Sequence, residues 1–597
     1  MMTTTNDDPL PKKEILFHGI PASPGIAIGE VFKVTKKSGL MPADTDSRIT
    51  EDQVEKELER LNKALELSRQ DIKLMQSRIQ SADRKRITGV FDAHLLIVND
   101  RSLHKDVTEL IRREHYPADT AFTTAIQKYI NVILSMNDAY FRGRADDIKD
   151  VATQIMNHLH GLADAALSKL PGPAIVLSRD LTPSDTASLD REHVLGFATE
   201  TGSRTSHTAI LARSLQLPAV VGMLNFVDRL SNGDRIIIDG YLGMVIANPT
   251  ADTESLYREK MLQKEQLYAE LRKENRMRAE TVDGYCISLL ANVEGVKDTV
   301  QVQENGAEGV GLYRTEYLFM NSGVLPSEEV QYQDYKAMAE NLCGQPVVIR
   351  TLDVGGDKLD DSLISIRESN PFMGLRAIRL AQDDPEILAT QIRAILRASA
   401  HGDVKLLFPM VSSLEELDFL LDMVEESKQV LRDRGQAFAE KIEIGIMIEI
   451  PSAAVAAPLF AEKVDFFSIG SNDLVQYSLA VDRTNEKVAN LYKPASPAVL
   501  NLIKQTANAA RENGIYTAVC GEIAGEPLFA PLLIGLGVRE LSMSPGSLAA
   551  VRRMIRRMRF YDAEQLAEKA LACRTAPEVR ALAKEFLNTV APDLAQL

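Results

Sequence analysis

A histidine lies among hydroxyl side chains in the stretch TGSRTSHTAILARS, residues 201–214, where a helical apolar pattern begins. By periodicity alone, His207 shares the inward face of Ile210 and Leu211, which favours a buried core histidine. The first helical turn offers a different role, because free backbone N–H groups and the helix dipole attract negative charge there. The neighbouring hydroxyl residues are Ser203, Thr205, Ser206 and Thr208. The alternative interpretation is therefore a phosphoryl group carried on the imidazole of His207.

A second set of chemically active residues lies in the C-terminal half, at the ends of predicted strands. They are Arg314, Arg350, Asp353, Glu449, Asn472, Asp473 and Cys520, with Arg376 and Arg483 in adjoining loops. Arginines bind phosphate and carboxylate oxygens in a bidentate geometry. Glu449 and Asp473 offer two hard oxygen ligands, the sparse coordination that Mg²⁺ prefers when a phosphate supplies the rest. Cys520 is either a small buried hydrophobic residue or a proton donor. The set predicts a site for a small substrate with phosphate and carboxylate groups, bound with Mg²⁺.

These residues belong to a regular alternation of short apolar runs and helical stretches that starts near residue 285. The runs are CISLLANVE, GVGLYR, VVIRTLD, VKLLFPMV, IEIGIMIEI, FFSIGSNDL, TAVCGE and ELSMS. Eight strands alternating with helices predict a (β/α)8 TIM barrel. Because such a barrel gathers the C-terminal ends of its strands at one face, we expect the candidate residues to converge.

The N-terminal half combines strands with a long helical region. Residues 15–34 predict a strand, a turn and a second strand, and further strands follow between residues 173 and 249. Helical patterns of coiled-coil type begin at Val54 and continue to about residue 168. We therefore predict an α/β fold class whose four parts are an α/β domain (1–45 and 169–250), an inserted all-helical subdomain (46–168), an interdomain linker helix (251–282) and the barrel (283–597).

Composition narrows the classes of function. The chain has 597 residues and a net charge of −16, so its overall charge would repel nucleic acid and anionic membranes. The four cysteines show neither a zinc-binding spacing nor a disulfide framework. The N-terminus lacks the apolar core of a signal peptide, so a cytoplasmic protein is expected.

Several motifs together resemble one family. GSRTSHTAILARS is similar to the phosphohistidine signature of the phosphoenolpyruvate (PEP)-utilising enzymes, and DFFSIGSNDLVQYSLAVDR (465–483) resembles their second signature. Further matching segments are ASPGIAIG, DLTPSDTA, GAEGVGLYRTEYLFM, NPFMGLRAIR and VCGEIAG. Their order, and the length of the chain, resemble most closely the Enzyme I family of the bacterial phosphotransferase system. The implied activity is transfer of the phosphoryl group of PEP to a histidine and then to the phosphocarrier protein HPr, with release of pyruvate, as the first step of sugar uptake.

The resemblance implies a role for each candidate residue. His207 would accept the phosphoryl group on Nε2, and Cys520 would protonate the enolate carbon to give pyruvate. Glu449 and Asp473 would bind Mg²⁺. The implied PEP-binding residues are Arg314, Arg350, Asn472, Asp473 and Arg483, with Arg376 and Lys358 assisting. The implied neighbours of the phosphohistidine are Thr186 and Arg204.

The resemblance also implies partners and a movement. The helical subdomain would bind HPr, and the barrel domain would form a homodimer. Because one imidazole must serve both the barrel and HPr, the histidine domain would swing about the linker helix. Two departures from the family pattern are Ser203, where the family commonly has glycine, and the absence of the usual Leu-Pro pair in segment 358–372.

Two other functions are compatible with part of these motifs. Pyruvate phosphate dikinases and PEP synthases share both signatures but need an ATP-binding domain, and the region before His207 shows no nucleotide-binding glycine loop. A non-catalytic relative that senses PEP would have little reason to keep the full set of reactive residues.

Overall fold

The computed structural model describes residues 13–34, 47–78, 91, 94–135, 139–161, 172–181, 185, 193–202, 207–215, 217–223, 225–320, 325–354, 370–483, 485 and 488–596. The chain forms two compact units, residues 1–262 and 263–597. Each unit has its own sheet and its own apolar core.

The first unit contains an eight-stranded sheet with the order β1-β8-β7-β3-β4-β5-β6-β2. Its strands are β1 (Ile15–His18), β2 (Ile20–Ser23), β3 (Ile26–Lys33), β4 (Ala174–Ser178), β5 (Val194–Thr199), β6 (Ala219–Val221), β7 (Arg235–Asp239) and β8 (Met244–Ala247). Along β4, Ile175 and Leu177 enter one apolar cluster and Val176 enters another, because successive side chains of a strand point to opposite faces. Both faces of the sheet are therefore covered.

The prediction of two strands in residues 15–34 was wrong, because the structure has three. Gly19 separates β1, which pairs with β8, from β2, which pairs with β6 at the other edge of the sheet. A Cβ atom at Gly19 would lie 2.4 Å from Met223 Cγ, so only glycine fits this crossing. The close approach depends on a distant segment, and the local sequence therefore did not reveal it.

Helices occupy the region between β3 and β4. They are α1 (Val54–Arg78), α2 (Arg101–Glu114), α3 (Ala118–Ser135) and α4 (Ala139–Leu159). The repeating apolar positions of α1, among them Leu61 and Ile72, are buried in a common helical core, which agrees with the coiled-coil type of pattern. Later in this unit, α5 spans His207–Leu215. The next helix, α6, spans Ala251–Lys273 and so continues from the first unit into the second; it is shorter than the predicted 251–282.

The second unit contains the closed eight-stranded barrel, as predicted. Its strands are β9 (Ser288–Val293), β10 (Val310–Tyr313), β11 (Val347–Arg350), β12 (Val404–Phe408), β13 (Ile444–Ile448), β14 (Phe466–Ile469), β15 (Tyr516–Val519) and β16 (Glu540–Met543). Each predicted apolar run coincides with one of them to within a residue at the N-terminal end of β15, and neighbouring strands are parallel, with β16 pairing with β9. The interior is filled by side chains such as Leu312, Leu407 and Met447. The predicted fold class is confirmed.

Helices surround the barrel. They are α7 (Thr299–Glu304), α8 (Glu316–Met320), α9 (Glu328–Asn341), α10 (Leu380–Asp383), α11 (Pro385–Ala398), α12 (Leu414–Asp433), α13 (Pro451–Val455), α14 (Ala457–Phe460), α15 (Ser471–Leu479), α16 (Pro497–Glu512), α17 (Ala530–Gly535), α18 (Leu548–Arg557), α19 (Phe560–Leu571) and α20 (Ala576–Val590). Among the described helices of the whole chain, none is long and apolar enough to cross a membrane.

Glu540 at the N-terminal end of β16 gives the stability of the barrel a pH dependence. Burial raises its pKa to about 7, with Glu443 and Glu308 adding to the effect and Lys405 opposing it. Between pH 4.5 and 7 the folded state therefore binds more protons at this site than the unfolded state, so stability falls as pH rises and the cost is full above pH 7. Glu540→Gln should raise the free energy of unfolding at pH 8 by on the order of 2 kcal/mol and change it little at pH 4.

Thermal unfolding of the wild type and of Glu540→Gln at pH 4 and pH 8 measures this change in stability. The exposed Glu304→Gln is a matched control and should shift the transition little at either pH. An equal gain of the Glu540 variant at pH 4 and pH 8 would mean that the carboxyl of Glu540 does not titrate between them.

Candidate active site

The C-terminal ends of the barrel strands carry most of the predicted site residues. Arg314 follows β10, Arg350 ends β11, Glu449 follows β13 and Cys520 follows β15. Asn472 and Asp473 lie in the first turn of α15, which begins directly after β14 and Gly470. The barrel topology therefore gathers at one face side chains that are separated by up to about 200 residues in the sequence.

Arg350 is buried among carboxylates. Its side chain contacts Glu316 Oε1, and its Nη1 lies 3.0 Å from Asp353 Oδ2. Burial alone would lower the pKa of Arg350, but the nearby carboxylates of Glu316, Asp353 and Glu449 have the larger effect, so the pKa of Arg350 is raised. Nε of Arg350 is buried without a hydrogen-bond partner among the described residues, so this guanidinium keeps a donor for a bound anion.

Arg376 links two of the acidic residues. Its Nε and Nη2 donate to the two carboxylate oxygens of Asp353 at 3.0 Å each, and Nη2 also donates to Asp473 Oδ2 at 3.2 Å. Its Nη1 donates to Tyr477 OH at 3.0 Å, and that hydroxyl contacts Phe372 O. Arg376 was predicted as an assisting residue in a loop, but only 2% of it is exposed, and it joins the strand ends to α15.

Glu449 and Asp473 are suited to a divalent cation. Glu449 Oε1 accepts a hydrogen bond from the backbone N–H of Met410 at 2.7 Å, and burial, together with Asp473 and Asp353, raises the pKa of Glu449. Asp473 Oδ1 is buried with no hydrogen-bond partner among the described residues. No group of three or more His, Cys, Asp or Glu side chains able to hold a metal ion occurs in the described part of the chain. Two carboxylates fit Mg²⁺, which takes its remaining ligands from water and substrate phosphate.

The charges of the buried cluster agree with this assignment. Two guanidiniums, of Arg350 and Arg376, face four buried carboxylates, so the ionised cluster carries two negative charges in excess. The carboxylates are those of Glu316, Asp353, Glu449 and Asp473. A divalent cation would remove this excess, and it would therefore lower the raised pKa of Glu449.

Two further arginines and an amide lie at the barrel mouth. Arg314 is about 40% exposed and pairs with Glu294 at 3.1 Å. The backbone N–H of Arg483 donates to Gln476 Oε1 at 3.1 Å, which holds the loop after α15 against that helix. Asn472 Oδ1 accepts a hydrogen bond from the backbone N–H of Glu522 at 3.0 Å. The barrel mouth therefore also holds two arginines, Arg314 and Arg483, that are more accessible to solvent than Arg350 and Arg376.

Cys520 is a buried thiol. It is 3% exposed, its Sγ lies 3.3 Å from the Ser468 hydroxyl, and it donates weakly to Ile469 O at 3.7 Å. Burial raises the pKa of Cys520, and the Ser468 hydrogen bond and Arg350 oppose this only in part. A thiol that stays protonated at neutral pH is suited to donating a proton and poorly suited to acting as a nucleophile.

The predicted phosphoryl acceptor lies in the first unit, at the start of a short helix. His207 is the first residue of α5, as the apolar pattern predicted, but its side chain lies outside the described residues. Thr208 anchors the helix, because its hydroxyl donates to Leu181 O at 2.9 Å. The predicted residues Thr186, Arg204 and Lys358, together with Ser203, also lie outside the described residues.

The sequence analysis missed two groups of this site. Glu316 lies two residues after Arg314, and Tyr477 lies one helical turn after Asp473. The spacing of Tyr477 from Asp473 could have revealed it, because residues four apart share a helix face. Glu316 carried no such signal.

Comparison with known proteins identifies the family. Models of the PEP-utilising enzymes match residues 18–144 (N-terminal domain), 170–243 (mobile domain) and 268–560 (PEP-binding domain). A phosphoenolpyruvate-protein phosphotransferase of Staphylococcus carnosus is 41% identical over 574 residues, 95% of this chain and 98% of the relative. Proteins of the same name from Geobacillus stearothermophilus and Haemophilus influenzae are each 40% identical, over 96% of this chain and 99% of the relative. The chain therefore belongs to the phosphoenolpyruvate–protein phosphotransferase (Enzyme I) family of the PEP-utilising enzymes.

Proposed function

We propose that this protein transfers the phosphoryl group of PEP to His207 and then to the phosphocarrier protein HPr. The observation that carries the proposal is the barrel mouth, where buried and half-buried arginines lie with the carboxylates of Glu449 and Asp473 and the buried thiol of Cys520. PEP carries a phosphate and a carboxylate, which match the arginines, and its enolate product needs a proton.

In the proposed reaction, arginines bind the substrate and offset its charge. Arg314, Arg350 and Arg483 hold PEP, with Asn472 donating an amide hydrogen bond and Arg376 assisting. Mg²⁺ held by Glu449 and Asp473 would supply further charge neutralisation on the phosphate oxygens. Phosphoryl transfer depends mainly on such positioning and charge neutralisation.

The bond changes are balanced as follows. His207 Nε2 attacks phosphorus, the bond between phosphorus and the bridging oxygen of PEP breaks, and the electron pair leaves with enolpyruvate. Cys520 then gives its proton to the methylene carbon, which yields pyruvate and leaves a thiolate to be reprotonated. A histidine of HPr next takes the phosphoryl group from His207.

We propose that the four predicted parts of the chain divide this work. Residues 1–45 and 169–250 carry the phosphohistidine, with Thr186 and Arg204 near it, and residues 46–168 bind HPr. Residues 251–282 link this half to the barrel, residues 283–597, which binds PEP and forms a cytoplasmic homodimer. Lys358 contributes to the PEP site. The pathway served is sugar uptake through the phosphotransferase system.

Labelled PEP tests the proposed function. Incubation of the purified chain with PEP carrying a radioactive phosphate and Mg²⁺ should label the protein, with a bond that is stable to base and labile to acid. His207→Ala should abolish the labelling, and addition of HPr should remove label from the wild-type chain. An unlabelled wild-type protein that still bound PEP would instead be a sensor, and full labelling of His207→Ala would exclude this histidine as the acceptor.

A further inference from the structure

Gln391 is a buried amide in the middle of α11, a helix packed on the outside of the barrel. None of its surface is exposed, although glutamine is usually found at protein surfaces. A buried amide costs free energy unless its donors and acceptor are all used. Its hydrogen bonds therefore indicate why it is tolerated at this position.

The amide of Gln391 is fully paired, and two of its partners lie at strand ends. Its Oε1 accepts from the backbone N–H of Leu352, two residues after the end of β11, at 2.8 Å. Its Nε2 donates to Thr315 Oγ1, two residues after the end of β10, at 3.1 Å. The second N–H donates to Tyr335 OH at 3.0 Å. One side chain thus joins the C-terminal ends of two adjacent strands.

The direction of these hydrogen bonds is set by the next partners. The Thr315 hydroxyl donates to the backbone carbonyl of Arg350 at 2.9 Å, so it can only accept from Gln391. The Tyr335 hydroxyl donates to Gln331 Oε1 at 3.2 Å, so it too accepts from Gln391. A flipped amide would lose all of these bonds, and the network therefore has one arrangement.

The two tethered strand ends carry substrate-site residues. Thr315 follows Arg314 directly, and Leu352 lies between Arg350 and Asp353. We infer that Gln391 is a positioning residue for PEP binding, which holds the backbone that presents these arginines without touching the substrate. The inference rests on the proposed function, because it takes the arginines as the PEP-binding groups.

PEP affinity in the His207→Ala chain tests the inference, because that chain can bind PEP but cannot accept its phosphoryl group. Adding Gln391→Leu should weaken PEP binding, measured calorimetrically with Mg²⁺, by about tenfold. In the chain with His207 intact, the KM for PEP should rise by a similar factor while kcat falls less than about threefold.

The neighbouring Ile392→Ala is the matched control. Ile392 is also fully buried in α11 but belongs to the apolar core, so its truncation should lower Tm at least as much as Gln391→Leu and leave PEP affinity unchanged. If Ile392→Ala weakens PEP binding equally, Gln391 acts only through the stability of the helix and the inference fails.

Thr315→Val gives a second test that does not alter α11. It removes the hydroxyl that connects Gln391 to Arg350 O, and it should weaken PEP binding to a similar degree. The variant with both Gln391→Leu and Thr315→Val should then bind PEP hardly more weakly than either single variant, whereas additive losses would show that the two residues act separately.

If the parent His207→Ala chain does not bind PEP at all, the proposed function is at fault. If it binds and Gln391→Leu binds equally well, only this inference is overturned.

Discussion

Cys520→Ala should slow pyruvate formation from PEP by about a hundredfold or more and weaken PEP binding less than threefold. The Cys520 thiol is buried beside Ser468, and burial raises its pKa, so we expect it to stay protonated at neutral pH. Arg350 lies close enough to oppose this shift in part. If Cys520 is the proposed proton donor, its removal raises the barrier of the protonation step, while the arginines proposed to bind PEP stay in place. The effect should therefore fall on kcat and leave substrate affinity nearly unchanged.

Pyruvate production, measured with a coupled dehydrogenase, and calorimetric PEP binding provide the two readouts. Cys286→Ala is the matched control, because this exposed cysteine lies before β9 at the opposite end of the barrel strands. It should retain the wild-type rate. Wild-type pyruvate formation by Cys520→Ala would remove the thiol from the mechanism and leave it as a small core residue.

The barrel could be predicted in detail from the sequence because its signal is local. Each strand is a short apolar run, and each run ends at a polar residue, so the positions of Arg350, Glu449 and Cys520 followed from pattern alone. The N-terminal sheet was predicted less well. The strand break at Gly19 depends on contacts with Met223 and Gly243, which no local pattern reveals.

The relations between site residues were harder to predict than their positions. The family resemblance implied that Arg376 assists, but the sequence did not indicate that this side chain is buried and bridges Asp353 and Asp473. The role of Gln391 was also hidden, since one glutamine in an amphipathic helix resembles any other. Such roles depend on which side chains meet across helices and strands, and this is decided by tertiary packing.

Asp353→Asn should destabilise the barrel by about 3–5 kcal/mol and reduce phosphorylation by PEP more than a hundredfold. Asp353 has no exposed surface, accepts two hydrogen bonds from Arg376 and forms an ion pair with Arg350. An asparagine would direct an N–H group at one of these guanidiniums and would leave two buried positive charges with one carboxylate fewer. The loss should therefore affect folding and phosphorylation together, because we propose that the same two arginines also bind PEP.

Glu386→Gln is the matched control for this substitution. It removes the same charge from an ion pair with Arg393, but the Glu386 side chain is 71% exposed, and Arg393 keeps its second ion pair, with Glu328 at 2.9 Å. We expect a change below about 1 kcal/mol and wild-type phosphorylation. Chemical unfolding of the two variants measures the effect on stability. Labelling of the folded variants at saturating PEP measures the effect on phosphorylation separately. If Asp353→Asn unfolds at the wild-type midpoint and is labelled at the wild-type rate, the buried cluster tolerates the loss of this carboxylate, and Asp353 has no part in holding Arg350 and Arg376 in place.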